Sequence, residues 1–406
     1  MLKRFLIAAV AIALATSASA KPKKAEPVNP DSTGFTFTDI INIPVTHMGD
    51  QNRTGTCWCF STNSFFENEI LKKTGKRVNL SEMFVVNHCY RDKAMKYIRM
   101  DGEINFAQGG SALDVPYVWR NYGMVPEEVY SGLNYGDDSH NHSELASVLT
   151  SYVSSVKTLP QKKLTSAWHR GLCAVIDAYL GELPTSFRHE GVTYTPQTYA
   201  ASLGISMDDY VPLTSFTHHP FDTKFIMEVA DNWVWGEYVN IPLDDFKAVV
   251  DNALENGFSV AWAADVSEPG WQWKNGFAVL PREIKPEEMD STEYARWSKI
   301  SSKERTEDLK VITGPVPEIE VTQQLRQEWF DNHETTDDHG MVIVGKARDQ
   351  EGNLYYKVKN SWNTNQLYDG YIYVSEAYFL GKTLDICVNR EAIPSHILNR
   401  ISHLLQ

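Results

Sequence analysis

Gln51-Asn52-Arg53-Thr54-Gly55-Thr56-Cys57-Trp58-Cys59-Phe60-Ser61 is the stretch that decides how this 406-residue chain folds. Gly55 permits a tight approach into a helix whose first turn holds Cys57. Phe60, Ser61, Asn63, Ser64, Phe66, Glu67 and Ile70 carry that helix to a stop at Gly75. A thiol at a helix start meets unpaired N–H groups and the positive pole of the helix dipole, which favour thiolate. Gln51, upstream, can fold back so that its amide and the backbone N–H of Cys57 point at one developing oxyanion. Taken alone, the same residues fit equally well a buried cysteine in an aromatic helix.

Three further stretches bear on that choice. Ala107-Gln108-Gly109-Gly110-Ser111 is either turn punctuation or bare backbone against which an extended peptide can lie. Asp337-Asp338-His339-Gly340-Met341-Val342-Ile343-Val344-Gly345 sets His339 at the entrance of an apolar strand, a rigid mount for a base. Gly352-Asn353 then turns the chain, and Leu354 to Lys359 return it as a partner strand to Asn360-Ser361-Trp362. Such a hairpin brings Asn360 beside His339, where an amide fixes the ring's tautomer without adding charge. Asp338 would modestly favour imidazolium. By itself, a histidine on an apolar strand is more often a satisfied core residue than a catalyst.

Together and in this order, these motifs resemble the papain-type cysteine peptidases, and Gln-Asn-Arg-Thr-Gly-Thr-Cys-Trp is most similar to their bleomycin hydrolase and aminopeptidase C branch. The resemblance implies an α+β, two-lobed papain-like fold, with a helical left lobe, a β-rich right lobe and a helical insertion. It implies Cys57, His339 and Asn360 as the catalytic residues, Gln51 at the oxyanion, Gly109 and Gly110 against the substrate backbone, and Trp362 shielding the Asn–His hydrogen bond. Peptides are the implied substrates, and the insertion implies subunit contacts in a homo-oligomer. No metal or cofactor is called for.

In that branch a C-terminal arm enters the cleft, and its carboxylate pairs with the substrate's α-amino group. Here only twelve residues follow Pro394, with Ile397, Leu398, Ile401, Leu404 and Leu405 on one helical face. The tail is therefore expected to dock as a helix. An exopeptidase stands against an endopeptidase with an open cleft, the difference turning on whether Gln406 gates it. A non-peptide amidase or transferase and a peptide-binding pseudoenzyme are the other readings.

The whole chain sets bounds on these alternatives. Its size supports two packed lobes or one elaborated domain. A formal charge of −14, from 38 basic and 52 acidic residues, repels phosphate backbones and anionic lipid and speaks against nucleic acid as a partner. Five cysteines are too few for a disulfide scaffold, and none is spaced as a zinc ligand. Cys59, Cys89, Cys173 and Cys387 read as small buried residues. Extracellular relatives place a disulfide cysteine three residues before the nucleophile, and this chain has Thr54 there.

Residues 1–20 combine Lys3-Arg4, an apolar run and Ala18-Ser19-Ala20, a cleavable export signal too short to span a membrane. Residues 21–45 read as a flexible lead-in, too short for a long helical propeptide, so the exported, periplasmic or secreted chain is expected to be active without trimming. Residues 46–240 read as the helical lobe with its insertion, and 241–406 as the β-rich lobe and tail. Cysteine and histidine lie much farther apart than the about 130 to 150 residues of simpler relatives, which places helices from Ser143 to Leu180 in the insertion. His140 and His142 read as a solvated loop, His218-His219-Pro220 as a turn, and 283–310 as an exposed helical excursion.

Overall fold

The structure, a computed structural model, describes residues 34–160, 163–291, 294–295, 298–299, 301 and 311–405. The expected leader, Gln406 and much of the 283–310 excursion lie outside the described residues.

A first strand, β1 (Thr38–Asn42), precedes the helix anticipated from the cysteine stretch, α1 (Cys57–Thr74). Helix α1 ends where glycine was expected to end it. Gly75 takes φ 73°, a left-handed conformation open to glycine at little steric cost, and its N–H bonds Leu71 O at 2.9 Å. The helix has no apolar stripe because it is covered on nearly every side, from Trp58 through Ile70. Around it stand α2 (Glu82–Arg99), capped by Ser81, and α3 (Asp114–Tyr122).

The insertion contributes α4 (Ser143–Lys157) and α5 (Ala167–Leu180). Leu145, Leu149, Leu172 and Ile176 bury against the helical core, while Val148 faces out. A small hairpin, β2 (Phe187–His189) and β3 (Val192–Tyr194), leads to α6 (Pro196–Ser202), whose Thr195 forms a reciprocal cap with Thr198.

Three strands follow: β4 (Tyr210–Thr214), β5 (Thr223–Ile226) and β6 (Glu237–Asn240). After them come α7 (Leu243–Glu255), β7 (Val260–Ala264), β8 (Trp271–Gln272) and β9 (Phe277–Ala278). The last third holds α8 (Gln323–Asp331), β10 (His339–Arg348), β11 (Leu354–Lys359) and β12 (Tyr371–Ser375). It closes with α9 (Glu376–Lys382), β13 (Thr383–Asn389) and α10 (Ser395–Ile401).

Eleven of these strands form one sheet, in the order β5-β6-β4-β13-β7-β10-β11-β12-β9-β8, with β1 added on β10. Strand β10 is its axis. The antiparallel hairpin with β11 forms as expected, Val342 opposite Lys359 and Arg348 opposite Leu354. On the other side, β7 pairs with the first half of β10, His339 opposite Ala264, and β1 takes over the second half, Asn42 opposite Gly345.

Two expectations change here. The lead-in read as flexible to residue 45 is structured from Phe35, because Phe35 and Phe37 pack with Phe277, Tyr355 and Tyr373 and bring β1 onto β10. Strands β4 to β6, read within the helical lobe, join the sheet through β13 instead. Pro212 sits inside β4, and proline argues against a strand in a sequence reading.

One apolar core lies among the helices and a second packs the sheet against α7, α9 and α10. Among the described residues no helix is long and apolar enough to cross a membrane.

Candidate active site

Helix α1 and strand β10 meet at their N-terminal ends, and the sequence permits the contact through glycine. A β-carbon on Gly340 would stand 2.7 Å from Ser61 Oγ and 3.1 Å from Trp58 Cα, so only a bare residue lets the strand come this close. Cys57 at the head of the helix and His339 at the head of the strand thus line one cleft of 340 Å³, together with Gln51, Gly109, Gly110 and Trp362. Asn360 stands behind His339.

The imidazole Nε2 lies 2.7 Å from Asn360 Oδ1. That oxygen also accepts the Ser361 N–H at 2.7 Å, which orients the amide and makes Nε2 the protonated ring nitrogen. Nδ1 keeps its lone pair. Trp362 covers the ring, with centroids 4.4 Å apart. His339 is buried, and burial holds it down to about 4, partly offset by the Asn360 bond. Asp338, expected to favour imidazolium, turns elsewhere and accepts from Val266 N–H and Thr336 Oγ.

The thiol departs from the sequence expectation. Burial pushes Cys57 up to about 11; backbone hydrogen bonding from Gly340 and Trp58 lowers it, and the charges of Asp337 and Asp231 raise it. Desolvation is the largest of these influences and works against the thiolate that the helix pole favours.

Gln51 is fixed by four bonds, one of them from Thr54 Oγ1 to its backbone carbonyl at 2.9 Å. Its backbone N–H donates to Ser361 O at 2.9 Å, its Nε2 donates to Thr54 O at 2.8 Å, and its Oε1 accepts from Ser361 Oγ at 2.7 Å. Ser361, given no role in the sequence reading, therefore ties Gln51 to Asn360. Its only signal was its place inside the Asn-Ser-Trp triplet.

The paired glycines are demanded by packing within the chain. A β-carbon on Gly109 would lie 1.9 Å from Asp231 Oδ2, and one on Gly110 would lie 2.5 Å from Asp114 Oδ2 and 2.8 Å from Trp58 Cε2. Asp231 belongs to the segment between β5 and β6, and it holds Asn105 Nδ2 at 2.9 Å. Trp233 of the same segment donates its Nε1–H to Asp114 at 2.6 Å. This segment lies against Gly109 and narrows the cleft there.

The other cysteines are free, with Cys59, Cys89 and Cys387 buried and Cys173 half-buried. His140 and His142 are buried rather than solvated. Burial lowers both, His142 to about 4, and His140 meets Phe60 edge-on. His218 and His219 are joined by Glu228, whose carboxylate oxygens lie 3.1 and 3.0 Å from the two rings. These three offer potential metal-ligand atoms within 4.8 Å of one another, on the surface and outside the cleft.

Two family descriptions match the chain: papain family cysteine protease over residues 36–194, and Peptidase C1-like family over 299–404. The first span holds Gln51, Cys57 and the paired glycines, the second His339, Asn360 and Trp362. The chain belongs to the papain-type cysteine peptidases. Relatives of this peptidase include Aminopeptidase C of Streptococcus thermophilus, 20% identical over 89% of this chain and 84% of the relative. Cysteine proteinase 1, mitochondrial, of Saccharomyces cerevisiae is 19% identical over 90% of this chain and 79% of the relative. These relatives put the peptidase in the aminopeptidase C and bleomycin hydrolase branch. Its fold is that of pepw from Lactobacillus rhamnosis hn001, with a TM-score of 0.66 at 18% identity over 90% of this chain and 85% of that one.

Proposed function

We propose that this peptidase is an exported aminopeptidase that works through Cys57, His339 and Asn360, with Gln51 at the oxyanion. The observation that carries the reading is the 2.7 Å bond from His339 Nε2 to Asn360 Oδ1, which leaves Nδ1 as the acceptor in the cleft shared with Cys57. A neutral imidazole is a competent base, and a thiol near 11 needs one.

As the sulfur attacks the peptide carbonyl, its proton passes to His339 Nδ1. The new C–S bond and an oxyanion form together. The Gln51 amide and the Cys57 backbone N–H stabilise that oxyanion. The C–N bond then breaks, the leaving amine takes the proton from His339, and the acyl group remains on sulfur. Water, deprotonated by His339, releases the acid and restores the thiol.

Removal of residues from the amino terminus is supported by the cleft, which the Asp231 segment narrows beside Gly109, and by the relatives that bear the name Aminopeptidase C. Export is supported by the composition of residues 1–20. The test is labelling by an epoxide thiol trap together with hydrolysis of a peptide library, with products read by mass spectrometry. Cys57→Ala is expected to lose both and Cys59→Ala to keep both. Hydrolysis that survives in Cys57→Ala overturns the assignment.

A further inference from the structure

Four aspartates line the cleft that holds Cys57; Asp338 accepts from Val266 N–H and Thr336 Oγ, and the other three arrive from different parts of the chain. Asp231 comes from the segment between β5 and β6, Asp337 from the residues just ahead of β10, and Asp385 from β13. Asp385 is 5% exposed and its Oδ1 has no hydrogen-bond partner. Among the described residues no hydrogen bond or ion pair reaches the Asp337 carboxylate.

The neighbouring cations are committed elsewhere. Lys93 Nζ donates to the carbonyls of Ala107 and Gly109. Arg326 donates to those of Ser215, Leu380 and Leu384. Burial, with the charges of Asp231 and Asp338, pushes Asp337 up to about 7; burial and the Asp337 charge push Asp385 well above the usual carboxylate range, against the Arg326 charge, which lowers it. Carboxylates held together with no ion pair to any of them are unfavourable, and a cation brought by a ligand relieves both the repulsion and the unmade bond.

We infer that Asp337 and Asp385, with Asp231 beside Gly109, form a subsite for a cationic nitrogen of the substrate, an ammonium or a guanidinium. This deepens the peptidase reading and rests on it. The described tail residues 395–405 are absent from the cleft lining: α10 packs Ile397 and Ile401 into the sheet core, and Leu405 O accepts from Arg390 at 3.1 Å.

The subsite is tested by calorimetry on full-length Cys57→Ala protein, which cannot turn the ligands over. Leucinamide supplies an α-ammonium, N-acetyl-argininamide a guanidinium on a blocked backbone, and N-acetyl-leucinamide no cation. At least one cationic ligand is expected to bind roughly tenfold or more tightly than N-acetyl-leucinamide, the size of a charge-assisted hydrogen bond. Which of the two binds identifies the source of the cation.

Asp337→Asn, at a half-buried position without partners, is expected to remove that preference, as is Asp231→Asn, each with an unchanged circular dichroism spectrum. Equal binding of all three ligands, or a preference that survives both substitutions, overturns the subsite. Because the readout is binding, its failure is distinct from a failure of Cys57 to react with the thiol trap, which would overturn the peptidase reading instead.

Discussion

Gly340 presents its bare backbone to the Cα of Trp58, with room for a β-carbon only at 3.1 Å. Each residue directly follows a proposed catalytic one, so their separation sets the spacing between His339 and Cys57. Strand and helix are held as two rigid mounts, with the Ser61 hydroxyl the one side-chain group among the nearest atoms at their contact.

Gly340→Ala is therefore expected to lower kcat by about a hundredfold, the usual effect of an ångström-scale misplacement, at a stability cost of about 1–3 kcal/mol from overpacking. Ser61 Oγ can rotate away, but Trp58 Cα cannot. Steady-state kinetics and thermal unfolding of the variant check both figures.

Asn360→Ala removes the acceptor that sets the His339 tautomer, and Ser361→Ala frees the Gln51 carbonyl oxygen. The first is expected to reduce kcat by roughly 10²-fold to 10⁴-fold, the range of a general base, and the second by roughly tenfold through loss of one hydrogen bond. In both, KM should move little. A large rise in KM with kcat intact would assign these residues to substrate binding.

The pH dependence of stability follows from two opposed sets of buried groups. Burial raises Glu67, Glu69, Asp114 and Glu127 to about 7, as it does Asp337 with added repulsion. Carboxylates raised in the folded state contribute stability that is present below their unfolded values and lost as pH rises through about 7. His88 is lowered to about 3 and His142 and His339 to about 4. Their contribution is present above 6.5 and lost as pH falls through about 4. Above about pH 6.5 the histidine contribution is already complete; Lys359, lowered by burial to about 8, gains stability only near the top of the interval and is outnumbered by the five carboxylates. Calorimetric Tm should fall from pH 6.5 to pH 8, and a rise across that interval would contradict the assignment.

Ile401 is fully buried in the sheet core at the end of α10. Ile401→Ala is expected to cost about 2–5 kcal/mol of stability with KM unchanged at a temperature where the variant stays folded. A changed product pattern without loss of stability would instead give the tail a role in the cleft.

Much of the site was legible in the sequence because its parts sit on strongly patterned local structure. Helix α1 with its Gly75 stop and the β10–β11 hairpin with its Gly352-Asn353 turn both follow from short-range rules. What escaped depends on long-range burial. Asp231 lies in Glu228-Val229-Ala230-Asp231-Asn232-Trp233, which has no regular period, and reaches Gly109 only through the tertiary fold. Asp385 interrupts an apolar strand, a signal that could have been taken up. His140 and His142 looked solvated because their neighbours are polar. The thiolate expectation followed from the helix start, and desolvation of Cys57, invisible in sequence, works against it.

The pairing of Thr38–Asn42 with the rear half of the strand that begins at His339 sets a limit on maturation. Any cut that removes residues up to Phe35 or beyond strips an aromatic anchor and unzips a border strand, leaving a row of bare amides along the element that carries the imidazole. A shortened recombinant form must therefore begin upstream of that phenylalanine, or it will invite strand exchange between molecules before it loses a single reacting group.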